Sequence, residues 1–246
     1  MSDYYVGSVA RDGVWLAVAY ADGEYDHTAV LDGVGELWTR YEDSAERIAI
    51  DVPIGLESST APRPNEREAR SVLGSRSDAI VPAPVREATR KQRYRTAARV
   101  HERKTDTELS RRAFERARLV NAVDDFLTTI DEARPVFLEA HPELCYRAFA
   151  GEPMAEAADI AAGYAERMRT LAEFDRDGPP TVQSVAEATA GSRVPIPAVL
   201  DAVALALTVR PGPGELRSLP ADPPSDAEGL PMRFVYRSDA PLSSET

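Results

Sequence analysis

The chain has 246 residues, 43% of them hydrophobic, enough to bury the core of one domain or of a domain with a small subdomain. No apolar run approaches the ~20 residues a membrane helix needs, Cys145 is the only cysteine, so no intramolecular disulfide can form, and Met1 to Val6 lacks a basic-then-apolar leader pattern; together these exclude a membrane span and a disulfide scaffold and point to the cytoplasm. With 29 basic against 41 acidic residues the net charge is −12, and Lys91 and Lys104 are the only lysines, a balance expected of a protein adapted to a salt-rich cytoplasm, where screening relieves self-repulsion, or of an ordinary acidic protein.

Tyr4–Val9, Val14–Tyr20 and His27–Leu31 are short β-rich runs separated by Arg11-Asp12-Gly13 and Ala21-Asp22-Gly23. Asp-Gly is a strong hairpin signal, so an antiparallel meander is predicted. Val34–Tyr41 follows as a short helix and Ile48–Asp51 as a fourth strand. Asn65–Leu73 is helical and stops at Gly74. Val81-Pro82-Ala83-Pro84 is an extended connection, and Val85–Arg103 and Leu109–Ile130 are predicted as helices. The second carries an apolar stripe of Leu109, Ala113, Phe114, Ala117, Val120, Val123 and Leu127. Val136–Leu138 is a fifth strand. Helices then cover about 143–150, 157–174, 182–189 and 198–209. Ala221–Asp226 is an acidic, mobile loop, Pro231–Tyr236 a possible edge strand, and Ser238–Thr246 a frayed tail. The expected organisation is one domain over 1–215, with a helical, arginine-rich insertion at about 60–132, and an appendage over 216–246.

Two segments stand out. In Ile48-Ala49-Ile50-Asp51-Val52-Pro53-Ile54-Gly55 a strand delivers one carboxylate to its end before Pro53 and Gly55 turn the chain. Such a carboxylate either serves a site at the sheet edge or bonds the backbone of its own turn. Pro84–Arg118 holds 12 basic residues against 5 acids, a net of +7 that leaves −19 on the rest of the chain. This basic island is either a footprint for phosphate or nucleic acid or a helical face whose arginines pair with acids elsewhere.

Three strands, a helix, a strand, helices, a strand and more helices is the element order of the ribonuclease H fold, an α/β architecture with a five-stranded mixed sheet flanked by helices. The residues also resemble a family of predicted nucleases of that fold, an uncharacterised domain-of-unknown-function family, from about Tyr5 to Val235. The resemblance is carried by Gly7 to Trp15, Asp51-Val52-Pro53-Ile54-Gly55-Leu56, Arg63 with Arg70, Leu73, Gly74 and Arg76, Val81 to Arg86, Leu109-Ser110, Val123-Asp124, Glu139-Ala140-His141-Pro142-Glu143, Gly163 with Arg167, and Leu200-Asp201-Ala202. It implies a carboxylate cluster of Asp51, Glu139 and Asp201 that holds divalent cations, Mg²⁺ by default with Mn²⁺ as substitute, for phosphodiester hydrolysis.

The chain departs from the family pattern where that chemistry is most exposed. Val9 stands in place of the first-strand Asp, and Asp12 lies three residues on. Asn65 stands where the family has Asp, Leu119 and Ala122 where it has Lys and Glu, and Pro197-Ala198 where it has an acidic pair. A catalytic set acts as a unit, so such losses point to altered chemistry.

Among the other polar residues, His141 is a candidate general base or a structural histidine, and Glu143 a helix cap. Arg63, Arg70, Arg76 and Arg86 are candidates to clamp phosphate; the first three can instead pair with carboxylates where no metal binds. The leading expectation is a divergent nuclease or nucleic-acid-binding protein. The alternatives are a catalytically inactive binding or scaffolding member of the fold and a hydrolase of small phosphorylated molecules.

Overall fold

The structure, a computed structural model, describes residues 3–11 and 13–243. Strands β1 (Tyr4–Arg11), β2 (Val14–Ala21) and β3 (Glu24–Leu31) form the antiparallel meander. Asp22 and Gly23 both take positive φ, 52° and 85°, the conformation a two-residue hairpin turn needs and Asp-Gly tolerates. After helix α1 (Val34–Tyr41), strand β4 (Ala45–Ile50) lies parallel to β1, and β5 (Phe137–Glu139) lies parallel to β4. The sheet order is β3-β2-β1-β4-β5, antiparallel then parallel, flanked by helices, a ribonuclease H-like arrangement.

Strand alternation divides the core in two. Val9, Leu16, Val18, Tyr20, Ala49 and Leu138 face one side. Val6, Ala10, Trp15, Ala17, Ile48, Ile50 and Phe137 face the other, where α1 and helix α5 (Arg111–Thr129) cover them. Helix α9 (Ile196–Val209) fills the first side. It approaches β1 so closely that a Cβ on Gly7 would collide with the backbone of Ala202 and Ala206. Gly7 is therefore what lets the helix bearing Asp201 lie against the strand bearing Arg11.

Between β4 and α5 lie helices α2 (Pro64–Leu73), α3 (Arg86–Thr89) and α4 (Tyr94–Thr105). The continuous helix predicted over Val85–Arg103 is thus broken at 90–93. The Thr89 hydroxyl donates to the Arg86 carbonyl, a side-chain bond that competes with helix continuation. The bend brings Ala88, Ala97 and Ala98 together with Ala113 in one small cluster. Ser110 caps α5, accepting from the Ala113 N–H at 3.1 Å.

Helices α6 (Pro142–Ala150), α7 (Ala161–Phe174) and α8 (Gly178–Ala188) precede α9. The predicted edge strand at Pro231–Tyr236 is instead β7 (Phe234–Ser238). It pairs with β6 (Glu215–Leu219) in a separate two-stranded sheet, which no sequence signal foretold. Leu219, Phe234 and Tyr236 pack there against Ala69 and Leu73 of α2 and Leu144 of α6. Of the loop expected to be mobile, Asp226 is firmly held. Its carboxylate accepts from Arg86 and from the N–H groups of Leu56, Glu228 and Leu230. Among the described residues no helix is long and apolar enough to cross a membrane.

Candidate functional site

Asp51 follows the last residue of β4, and its side chain does not bond its own turn. Oδ1 accepts from the Ala10 N–H of β1 at 3.2 Å, and Oδ2 meets the Arg11 Nη1. The other terminal nitrogen of Arg11 donates to Asp201 Oδ2 at 2.9 Å. One guanidinium therefore bridges a carboxylate from the sheet and one from α9. Arg116 of α5 completes the group, donating to the Asp51 carbonyl at 2.7 Å with Asp51 Oδ2 at 3.5 Å.

The two carboxyls are tuned in opposite directions. Burial pushes Asp51 up, but the charges of Arg11 and Arg116 and the bonds from Arg11 and Ala10 outweigh it and hold the carboxyl below its ordinary value. Burial pushes Asp201 up to about 7 against the pull of Arg11, with the negative charges of Asp51 and Glu143 adding to the rise.

Glu139 does not join them. It pairs with Ile50 across β4 and β5, and residues directly opposite share a face, so its side chain lies on the side away from α9. There Arg63 grips it from both terminal nitrogens, at 2.9 and 2.6 Å, and the Ile54 N–H donates to it at 2.9 Å. Arg63 also binds Glu66 at 2.8 Å and the carbonyls of Ile54 and Gly55. Burial raises the Glu139 carboxyl despite Arg63.

His141 caps α6: its Nδ1 accepts from the Glu143 N–H at 3.2 Å, and its ring stands edge-on to Phe234. Burial drives its pKa down to about 3, Asp51 opposing and Arg116 and Arg11 assisting. It is neutral at physiological pH, with its Nδ1 lone pair engaged. Glu143, expected as a cap, instead sends its carboxylate to Arg167 and to Arg76, the latter at 3.2 Å. Of the other arginines predicted to clamp phosphate, Arg70 binds the carbonyls of Ser77 and Ile80. Arg86 is committed to Asp124 and Asp226. Asn65 is buried, and among the described residues its side chain has no hydrogen-bond partner. Asp12 lies outside the described residues.

Above Arg11 opens a cleft of about 760 Å³, within the size range of ligand sites. Asp51, Asp201, His141 and Glu143 line it with Arg11, Arg76, Arg112 and Arg116. Of the four arginines predicted for phosphate only Arg76 is among them. Arg112 and Arg116 belong to the Pro84–Arg118 island expected as a phosphate footprint; Arg11 was missed, and the available signal was the period-two step from Val9 to Arg11 along β1.

A divalent ion does not fit this donor set as it stands. Both Asp51 oxygens and Asp201 Oδ2 are engaged by guanidinium and backbone donors, Glu139 is held by Arg63, and Val9 is buried in one cluster with Leu16 and Ala198. Among the described residues no group of three His, Cys, Asp or Glu side chains is placed to hold a metal.

Beyond the cleft, Arg95, Arg99 and Arg103 recur at four-residue steps on the exposed face of α4 and make no ion pair within the described residues, whereas Lys91 and Lys104 pair with Glu87. Arg111 at the start of α5 stacks on Tyr94 at the start of α4, 3.9 Å from the ring centroid, so the two helix starts abut.

A family model described as "Protein of unknown function (DUF429)" matches residues 3–225. No curated protein and no solved structure matches the chain.

Proposed function

Since the chain belongs to the DUF429 family of proteins of unknown function, we propose its role from the geometry: a ribonuclease H-like module that binds nucleic acid through the arginine surface of α4 and the start of α5. The observation that carries this is the row of Arg95, Arg99 and Arg103. These guanidiniums are exposed and unneutralised among the described residues although the chain outside Pro84–Arg118 carries −19. An acidic protein that left them free by chance would lose little by pairing them; a phosphate backbone is the ligand that uses them, and Arg112, near the start of α5, lines the cleft.

The test is fluorescence anisotropy of labelled single-stranded and duplex DNA and RNA against stepped KCl, in the range where circular dichroism shows a folded protein. Affinity should fall linearly on a log–log salt plot, and Arg95→Glu/Arg99→Glu/Arg103→Glu should abolish it. A folded wild type that binds none of these probes at its lowest permissive salt overturns the proposal.

A second reading, a hydrolase of phosphorylated substrates, is favoured by the split between Asp51 and Asp201, since paired carboxyls pushed apart in pKa are the usual assignment of base and acid. It predicts inorganic phosphate or nucleotide release that Asp201→Asn eliminates, with a pH profile turning near 7.

A further inference from the structure

The resemblance implies a cation between the carboxylates, and the chain already carries one there. Asp51 and Asp201 come from different elements, 150 positions apart in the chain, yet both turn their Oδ2 atoms to Arg11. The same guanidinium is anchored by the Ala10 carbonyl at 3.0 Å, and Arg116 adds a second positive charge against Asp51. Arg11 and Arg116 together bring the two positive charges that a single divalent ion would supply. Val9 belongs to the same arrangement. It lies two residues before Arg11 on the same face of β1, buried, where a third carboxylate would leave the group with an unbalanced charge.

We propose that Arg11 is a resident cation that stands in for a divalent metal between Asp51 and Asp201, so that the chain has exchanged a diffusible ion for a covalently attached one. The chemistry changes with the exchange. A guanidinium donates hydrogen bonds in a fixed fork but accepts none, and it does not turn a bound water into hydroxide as a metal ion does. The site thereby becomes a fixed electrostatic joint between the sheet and α9, beneath a cleft that presents arginine donors. The nucleic-acid reading rests on α4 and does not depend on this exchange, so either can fail alone.

The experiment is isothermal titration of MnCl₂ and MgCl₂ in high KCl into the full chain as wild type, Asp51→Asn, Arg11→Met and Arg11→Met/Asp201→Asn, each checked for folding by circular dichroism. Wild type should take up no ion at the carboxylates. Arg11→Met should bind Mn²⁺ at least about tenfold more tightly than wild type, and the double variant should lose that binding. Wild-type uptake that Asp51→Asn abolishes overturns the proposal, as does a folded Arg11→Met protein that binds no more Mn²⁺ than wild type. Should Arg11→Met not fold, Arg11→Gln replaces it, and the wild-type and Asp51→Asn arms still decide.

Discussion

Two arginine–carboxylate groups flank the end of β4, and they differ in one respect that governs the rest. Around Arg63, the side chains of Arg63, Glu66 and Glu139 are 2% exposed or less, and each guanidinium nitrogen has a protein acceptor. Around Arg11, the carboxylates are nearly as buried, but the arginine side chain is 32% exposed and opens onto a cleft. The same pairing is a sealed joint on one face of the sheet and an accessible one on the other. Accessibility, rather than residue type, separates the candidate site from the scaffold.

The largest effect should come from the sealed side. Arg63→Met strands Glu139 and Glu66 without their partner and should cost about 3–5 kcal/mol by urea unfolding, enough to unfold much of the population. Arg11→Met should cost about 1–3 kcal/mol, because Asp51 keeps the Ala10 N–H and Arg116 while water reaches the rest. Equal losses would erase the distinction between the two sides.

A third measurement follows from Asp201. Its folded pKa of about 7 lies above the ordinary 3.8, so between those values the unfolded chain has released a proton that the folded chain retains. That contribution to stability is full below 3.8 and is lost as pH rises to about 7, with a slope of at most ~1.4 kcal/mol per pH unit. Glu139, also raised, acts in the same direction, whereas Asp51, lowered, acts with the opposite sign and only toward the acid end. Thermal midpoints across pH 4–7 should decline less in Asp201→Asn than in wild type; identical slopes would show that the Asp201 carboxyl is not perturbed. The smallest effect is Arg112→Ala. As an exposed surface change it should shift stability by no more than about 0.5 kcal/mol, while weakening nucleic-acid affinity in the anisotropy assay.

What was legible in the chain was local. The Asp-Gly turns, the period-two runs and the Asp51-to-Gly55 strand end each signal within a few residues, and with them came the order of elements along the chain and the five-stranded mixed sheet. The faces were less so. That Glu139 lies on the Ile50 face, bound to Arg63 rather than to Arg11, depends on its register with Ile50, set by a strand nearly ninety positions earlier. The resemblance grouped three carboxylates of which two pair with Arg11 and one with Arg63. Arg11 was overlooked because its meaning requires Asp201, brought near by a helix that can approach only where β1 has Gly7. The sheet of β6 and β7 escaped notice because Glu215–Leu219 alternates weakly and its partner begins fifteen residues later.

The contact between Gly7 and α9 also has a bearing on the order of assembly. It joins the first strand to the last long helix, and the Arg11–Asp201 bridge spans 190 positions. Pairings this distant close the longest loops in the chain and are the kind that slow a domain's folding. During synthesis β1 to β4 can pair well before α9 exists, leaving the α9 side of the sheet bare and Arg11 with Asp51 alone. The joint between Arg11, Asp51 and Asp201 is then made only when α9 docks, so a folded nascent intermediate would hold half of it.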